Sequence, residues 1–464
     1  MNRLQLTRYP IVKGLLRSRW PQLLLRALTL GIFLLAIFAG LAGTPVGNRN
    51  IAIVLVWIAW WGLLALLAVP LFGRGWCSIC PIPMPGEWLQ QGSVLEPGGK
   101  GLGLGRRWPN PLRNIWLQNG AFLMLALFSA VILTEPKVSA LVLAAFLLVA
   151  IGASLVFERR AFCRYLCPVG GFIGLYSQSA PLELRVVDAS VCASHTEKTC
   201  YTGSSQGYGC PWQVFPGGLS KNTNCGLCME CLRTCPHDNL ALRVRPFGAD
   251  LDHPTGRRLD EAYKAFILLG SAIIYAAVML GPWGQLKAMA YRVGTLPWLG
   301  YVLSLLLVTL VIVPGVFWLA STFGQVLAGN QVALQRKGLK KPFTNLAYSL
   351  VPLGMTAWMA FTLSFIFANG SYILPSLSDP LGFGWNLFGA AGMGWSTYLS
   401  SSVPFMQVIV LLVGLAWACR TALKIARQLA AQARLPQQAA LRMALPVAAF
   451  CLAITAVLFG LFIA

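Results

Sequence analysis

The sequence predicts an all-α polytopic membrane protein of about nine transmembrane helices that carries a small α+β insert. Three observations lead there. Hydrophobic residues make up 57% of the 464 positions against 11% charged, with a mean hydropathy of +0.66, a balance outside that of soluble domains. Runs of about twenty apolar residues, the length that spans a hydrocarbon core at helical rise, recur along the whole chain. One long polar stretch interrupts them, and it concentrates cysteine and histidine.

In chain order, the lead Met1 to Arg26 is basic and is broken by Pro10 and Pro21, with no small-residue cleavage pattern, so it reads as a cytoplasmic lead-in. Its Arg3, Arg8, Lys13, Arg17, Arg19 and Arg26 are expected to face anionic lipid head groups. Spans are expected near 22–43, 51–72, 115–134, 138–157, 264–284, 298–320, 346–368, 403–420 and 442–463. Lys and Arg are dense in the lead and in 73–113, 158–264, 321–345 and 419–442, whereas the opposite loops hold only Arg49, Lys137, Lys287 and Arg292. The positive-inside rule therefore puts the N-terminus and every cysteine motif on the cytoplasmic face of a bacterial inner membrane. The net charge of +22 is scattered between apolar runs and not gathered on one soluble module, which excludes a nucleic-acid footprint.

Three regions follow: a four-helix membrane region over 1–186, a cytoplasmic insert over 187–262, and a membrane region of about five helices over 263–464. The outer loop 369–402 is rich in Gly, Trp, Phe and Ser, with Asp379 its single acid and no base. It suits a packed cap over the helices or a docking surface for a periplasmic partner. The first region contains a repeat: Arg74-Gly-Trp-Cys77-Ser-Ile-Cys80-Pro81 follows the second span, and Arg160-Ala-Phe-Cys163-Arg-Tyr-Leu-Cys167-Pro168 follows the fourth. Two related hairpins are thereby expected to bring their cysteine ends together at the membrane surface.

The sharpest chemical signal is Cys225-Gly-Leu-Cys228-Met-Glu-Cys231-Leu-Arg-Thr-Cys235-Pro236, the C-x2-C-x2-C-x3-C-P spacing of bacterial ferredoxins. Three thiolates so closely spaced wrap one iron–sulfur cube, whereas zinc sites pair their cysteines in two separated knuckles, so a 4Fe-4S cluster is expected. Upstream stand Cys192-Ala-Ser-His195, Cys200 and Gly209-Cys210-Pro211, an expanded first half of a two-cluster ferredoxin-like insert. The Cys-Pro copies should cross over, with Cys210 completing the set of Cys225, Cys228 and Cys231 while Cys235 joins Cys192 and Cys200. The second set is one thiolate short. Either His195, placed where the missing cysteine would stand, fills the position and raises the potential, or it is a surface loop residue and that cluster is three-iron, water-ligated or absent. A Cys192–Cys200 disulfide is disfavoured in a reducing compartment.

Cys77, Cys80, Cys163 and Cys167 form a further set of four soft ligands, with Arg74, Arg159, Arg160 and Arg164 beside them to offset thiolate charge near lipid. Reduced structural cysteines at hairpin ends are the alternative. Cys419 and Cys451 stand alone on apolar helices as small hydrophobes, and His237 and His253 read as solvated loop residues. No histidine lies in a span and no C-x-x-C-H occurs, which excludes haem, and no nucleotide-binding pattern is visible.

On Trp76-Cys77-Ser-Ile-Cys80-Pro81, Phe162-Cys163-Arg-Tyr-Leu-Cys167-Pro168-Val-Gly-Gly and the stretch ending at Pro236, the chain resembles the membrane-bound polyferredoxin-like electron-transfer proteins, a superfamily that includes NapH, NosR and CcoG. The resemblance covers roughly 20–245. It implies an electron-transfer subunit, not a stand-alone enzyme, with these cysteines as cluster ligands, a cytoplasmic redox partner protein, and quinone as the second redox partner. The alternative is a redox sensor or a metal-reducing assembly factor. The flavin-attachment sequence of NosR is absent, and the last four spans match no smaller member.

Overall fold

The structure is a computed structural model, and it describes residues 4–280, 284–330 and 338–463. Arg3, the end of the expected span 264–284 and part of the loop 321–345 lie outside the described residues. Among the described residues, eight helices are long and apolar enough to cross a membrane: Trp20–Ala42, Ile51–Ser78, Pro136–Val156, Leu259–Leu280, Leu296–Leu327, Lys340–Ser378, Val403–Gln432 and Gln437–Phe462. The protein is a helical, multi-pass membrane protein. The expected span at 115–134 is divided into Trp116–Leu127, of 12 residues, and the short helix Ser129–Ile132. At about 1.5 Å per residue the longer piece falls short of a hydrocarbon core. Phe128 leaves helical geometry at the break, and the hydroxyls of Ser129 (2.9 Å) and Tyr301 (3.0 Å) donate to the Ala126 carbonyl there.

The chain divides into two compact units. The first gathers Met1–Pro45, Leu67–Ala121 and Pro136–Asp250, and the second Val46–Leu66, Phe122–Glu135 and Leu251–Ala464. In the second unit the core is aromatic: the Trp358 ring meets Trp61, Phe122, Tyr275 and Phe361, and its Nε1 donates to the Leu268 carbonyl at 2.9 Å. Buried indoles in an apolar helix bundle need such an acceptor. Asp379 is half-buried and accepts from the backbone amides of Phe383 and Gly384 at 3.0 and 2.8 Å. The one acid of the loop 369–402 thus closes a turn.

All the strands of the sheet belong to the first unit. Leu4–Gln5 (β1), Leu182–Val186 (β2) and Leu240–Val244 (β3) form an antiparallel sheet in the order β1-β3-β2, with Leu184 opposite Leu242 and Leu4 opposite Val244. Leu184, Leu232, Leu240 and Leu242 pack with Cys200 and Cys231 into one small core. Ionic groups seal its edge: Arg245 pairs with Glu183 at 3.2 Å and with Asp250, and Arg185 reaches Asp250 at 3.3 Å.

The basic lead folds onto this same body. After β1 comes the helix Pro10–Arg17, from which Lys13 and Arg17 pair with Asp238, while Arg19 pairs with Glu230 at 3.1 Å. Lipid head groups were the expected partners, and acids of the insert take these three side chains instead. Opposite charges brought together by the β1–β3 pairing form the contact within the chain.

Candidate metal centre

The local geometry that places Cys77 and Cys80 begins where the span Ile51–Ser78 tightens into the 3-10 turn Gly73–Ser78. Pro81 then ends the run of backbone donors. Cys163 lies in the π-helical turn Phe162–Leu166, and Cys167 caps the helix Pro168–Tyr176, its sulfur accepting from the Gly170 amide at 3.2 Å. A helix N-terminus favours negative charge on that sulfur. Gly170 permits the close approach, since a Cβ there would lie 2.9 Å from the Cys163 carbonyl oxygen and 3.3 Å from the Cys167 Cβ.

These four cysteines are neighbours. Burial pushes the Cys80 thiol up, and charge on Cys77 and Cys167 adds to it. Burial likewise raises Cys163, with Cys167, Cys80 and Cys77 contributing against the pull of Arg160. Burial raises Cys167 to about 11, opposed by the Gly170 amide.

The insert holds two further groups. Burial pushes Cys228 up to about 12, Cys210 and Glu230 adding to the shift, and raises Cys231 with help from Cys228, Cys225 and Cys210. The loop that carries them curls inward because Leu227 and Met229 take left-handed backbone conformations, φ 48° and 61°. Cys210, Cys225, Cys228 and Cys231 line one apolar cavity with an empty volume of ≈ 370 Å³, together with Trp212 and Leu219. In the other group, burial raises Cys200 to about 11, with Cys235 and Cys192 as the neighbouring charges. Asn239 links its two remaining thiols, the backbone amide facing the Cys235 sulfur and the side-chain amide the Cys192 sulfur, both at 3.4 Å.

His195 closes the helix Ala189–Ser194 beside Cys192. Its Nδ1 is 2.6 Å from the Val191 carbonyl oxygen, so Nδ1 carries the proton and the Nε2 lone pair is left for a ligand. Its ring lies 4.4 Å from that of His237, which follows Cys235 by two residues. His237 is exposed in a turn, as a solvated loop residue should be, and its ring lies near this group.

Donor chemistry and shape fit iron–sulfur cubes better than single ions. Among the described residues no three His, Cys, Asp or Glu side chains converge as one ion requires. Cys210, Cys225, Cys228 and Cys231 instead ring a cavity, as ligands to separate corners of a cube must. Trp212 Nε1, Arg74 Nε and Thr223 Oγ1 are buried without a hydrogen-bond partner, which leaves donors facing this region.

One acid that sequence inspection missed, Glu87, ties together two of the arginines it named. Arg160 (1% exposed) pairs with Glu87 through Nε and through Nη2 at 2.9 Å and also donates to the Cys77 carbonyl, while Arg26 lies 3.7 Å from Glu87. Burial opposes ionisation of Glu87, and the Arg160 and Arg26 guanidiniums overcome it, holding the carboxyl below its ordinary value. Glu87 lies on the helix Met84–Gln91, seven residues past Cys80 and outside its motif, so only its charge within an apolar stretch could have flagged it. Cys419 and Cys451 sit on Val403–Gln432 and Gln437–Ile463 in the second unit and join none of these groups.

The fold and the grouped thiols define a multi-pass membrane protein built to hold iron–sulfur clusters. Its segments 53–105 and 139–182, which carry the two hairpin cysteine pairs, match the family described as 4Fe-4S binding domain. YccM of Escherichia coli (strain K12), whose name proposes a role in electron transport, is 30% identical over 88 residues, 18% of this chain and 21% of that protein. The uncharacterized protein MJ0750 of Methanocaldococcus jannaschii (strain ATCC 43067) is 28% identical over 85 residues, 18% of this chain and 32% of that protein. The matched stretches thus span about a fifth and about a third of these relatives. No solved structure matches. Together the matches support a membrane-associated 4Fe-4S electron-transfer family, and the family match supports iron–sulfur clusters as the groups held.

Proposed function

We propose that this protein relays electrons between a redox partner on the cytoplasmic side of the bacterial inner membrane and the quinone pool or a partner oxidoreductase. The observation that carries the reading is the gathering of cysteines from distant sequence into three groups within one unit. Cys77, Cys80, Cys163 and Cys167 hold one 4Fe-4S cluster at the membrane surface. Cys210, Cys225, Cys228 and Cys231 hold a second in a ferredoxin-like arrangement, and Cys192, Cys200 and Cys235 hold a third with His195 as fourth ligand. The clusters supply one-electron storage when bound. The chain itself positions thiolates, excludes water from them and offsets their charge with Arg74 and Arg160.

A cleft lined by the lead, the helix Met84–Gln91 and the insert supports a small-molecule partner. Leu23 and Trp88 give it apolar wall, Arg26, Glu87 and Arg160 give it polar wall, and Cys228 opens onto it. Charged and amide side chains outnumber apolar ones in this lining, Arg19, Arg159 and Glu230 among them, and beside a ligand thiol they suit the carbonyl oxygens of a quinone head group. The loop 369–402 exposes Phe383, Trp385, Phe388 and Trp395 and is the surface offered to a periplasmic partner or to lipid.

The test is anaerobic purification with iron and acid-labile sulfide counts, and low-temperature EPR before and after a reduced quinol analogue. Two or three cubane signals that respond to quinol are the expected result. One cluster, or clusters blind to quinol, would overturn the relay in favour of a sensor or assembly role.

A further inference from the structure

Two cysteine quartets, one from the hairpin ends and one from the insert, are joined by a buried side-chain pair. Arg74 stands three residues before Cys77 and is 4% exposed. One of its terminal nitrogens donates to the Gly170 carbonyl at 2.9 Å, three residues past Cys167. The other donates to the Thr223 carbonyl, two residues before Cys225. The guanidinium lies 4.2 Å from the ring centre of Trp212, itself 1% exposed and two residues past Cys210. The far contact of the indole is the Cys225–Cys228 turn, because a Cβ on Gly226 would lie 2.1 Å from Trp212 Nε1. One residue is therefore packed against backbone or ring atoms from the segments that carry both quartets.

We propose that Arg74 and Trp212 form the joint across which the two quartet-held centres exchange electrons, and that the Arg74 charge acts on both centres at once. The inference rests on the relay reading above. The step is one electron leaving the reduced centre of one quartet and arriving at the oxidised centre of the other; no bond forms and no proton moves. Two physical arguments support it. A packed path of covalent and hydrogen-bonded atoms passes an electron more readily than open space of equal length. A buried positive charge stabilises the more negative, reduced state of any centre it faces, and low local polarity strengthens the effect. The cation–π contact fixes the guanidinium plane, and lysine would not reproduce its fork to two carbonyls.

The test uses the full-length protein in detergent, loaded anaerobically. EPR-monitored redox titration is expected to show that Arg74→Gln lowers the midpoints of both quartet centres and leaves that of the Cys192, Cys200 and Cys235 centre in place. Arg74→Lys, which keeps the charge, is expected to hold both midpoints near wild type. A shift in one quartet alone, or in neither, would overturn the proposal. A second arm needs no change at Arg74. Fully reduced wild-type protein should show magnetic broadening between the quartet signals, lost when Cys80→Ser or Cys228→Ser empties one quartet; sharp independent signals in the wild type would overturn the joint. If iron counting finds fewer than two filled quartets, the relay reading itself fails, a result distinct from two filled quartets that ignore Arg74.

Discussion

Replacing Glu87 by glutamine keeps its volume and removes one charge from a site where little water can replace it. The carboxylate is 6% exposed and Arg160 1% exposed, and their two-point contact is the principal compensation for the Arg160 charge. Breaking a buried pair by removing one partner costs about 3–5 kcal/mol, because the remaining ion is left unpaired. That corresponds to roughly a hundred- to several-thousandfold in the folded-to-unfolded ratio. Removing both partners in Glu87→Leu with Arg160→Met should recover most of that loss. The remainder is about 1 kcal/mol for the Cys77 carbonyl that Arg160 no longer serves. The assay is thermal unfolding in detergent of the wild type, both single variants and the double variant, with iron content measured in parallel. Glu87→Gln should also load less iron at the Cys77 quartet, since Arg160 positions that turn. A cost below about 1 kcal/mol for Glu87→Gln, or a double variant less stable than the single, would refute the reasoning.

Three further outcomes are expected. Cys210→Ser should abolish the EPR signal of the centre formed with Cys225, Cys228 and Cys231 and spare the other insert centre, while Cys235→Ser should do the reverse; loss of the opposite signal would show that the cysteines do not cross over. His195→Cys should remove nitrogen hyperfine coupling from the pulsed EPR of the Cys192 centre and lower its potential, and a wild-type spectrum without nitrogen coupling would exclude the histidine ligand. Burial raises the metal-free thiols of Cys167 and Cys200 to about 11 and that of Cys228 to about 12 from an ordinary 9.0. The folded state then holds those protons more tightly than the unfolded chain, so their contribution to stability is full below about pH 9 and is lost as pH rises through about 11–12. Melting temperature against pH should fall in this alkaline window for cluster-free protein and stay flatter for loaded protein, whose thiolates are held by iron; parallel curves would remove the argument.

The sequence by itself determined the helical membrane class and the residues with ligand chemistry. Apolar runs of span length and closely spaced Cys-Pro motifs act over a few residues, so both are legible in one dimension. It also grouped Cys210 with Cys225, whose charges act on each other in the folded chain, and Cys235 with Cys192, whose sulfurs both face Asn239. The division of 115–134 was not legible in hydropathy, since Phe128 leaves helical geometry without adding polarity. Tertiary structure alone decided which partner each charge has. Glu87 is an ordinary acid in an amphipathic stretch until Arg160, 73 positions away, is folded against it. Arg17 looks like a lipid-facing cation until β1 pairs with β3 and brings it to Asp238. Trp212 is one of sixteen tryptophans until Arg74 lies on its face and Gly226 against its edge. Burial and charge pairing are properties of the enclosed space and not of the local chain, and long-range contacts create that space only when the fold closes.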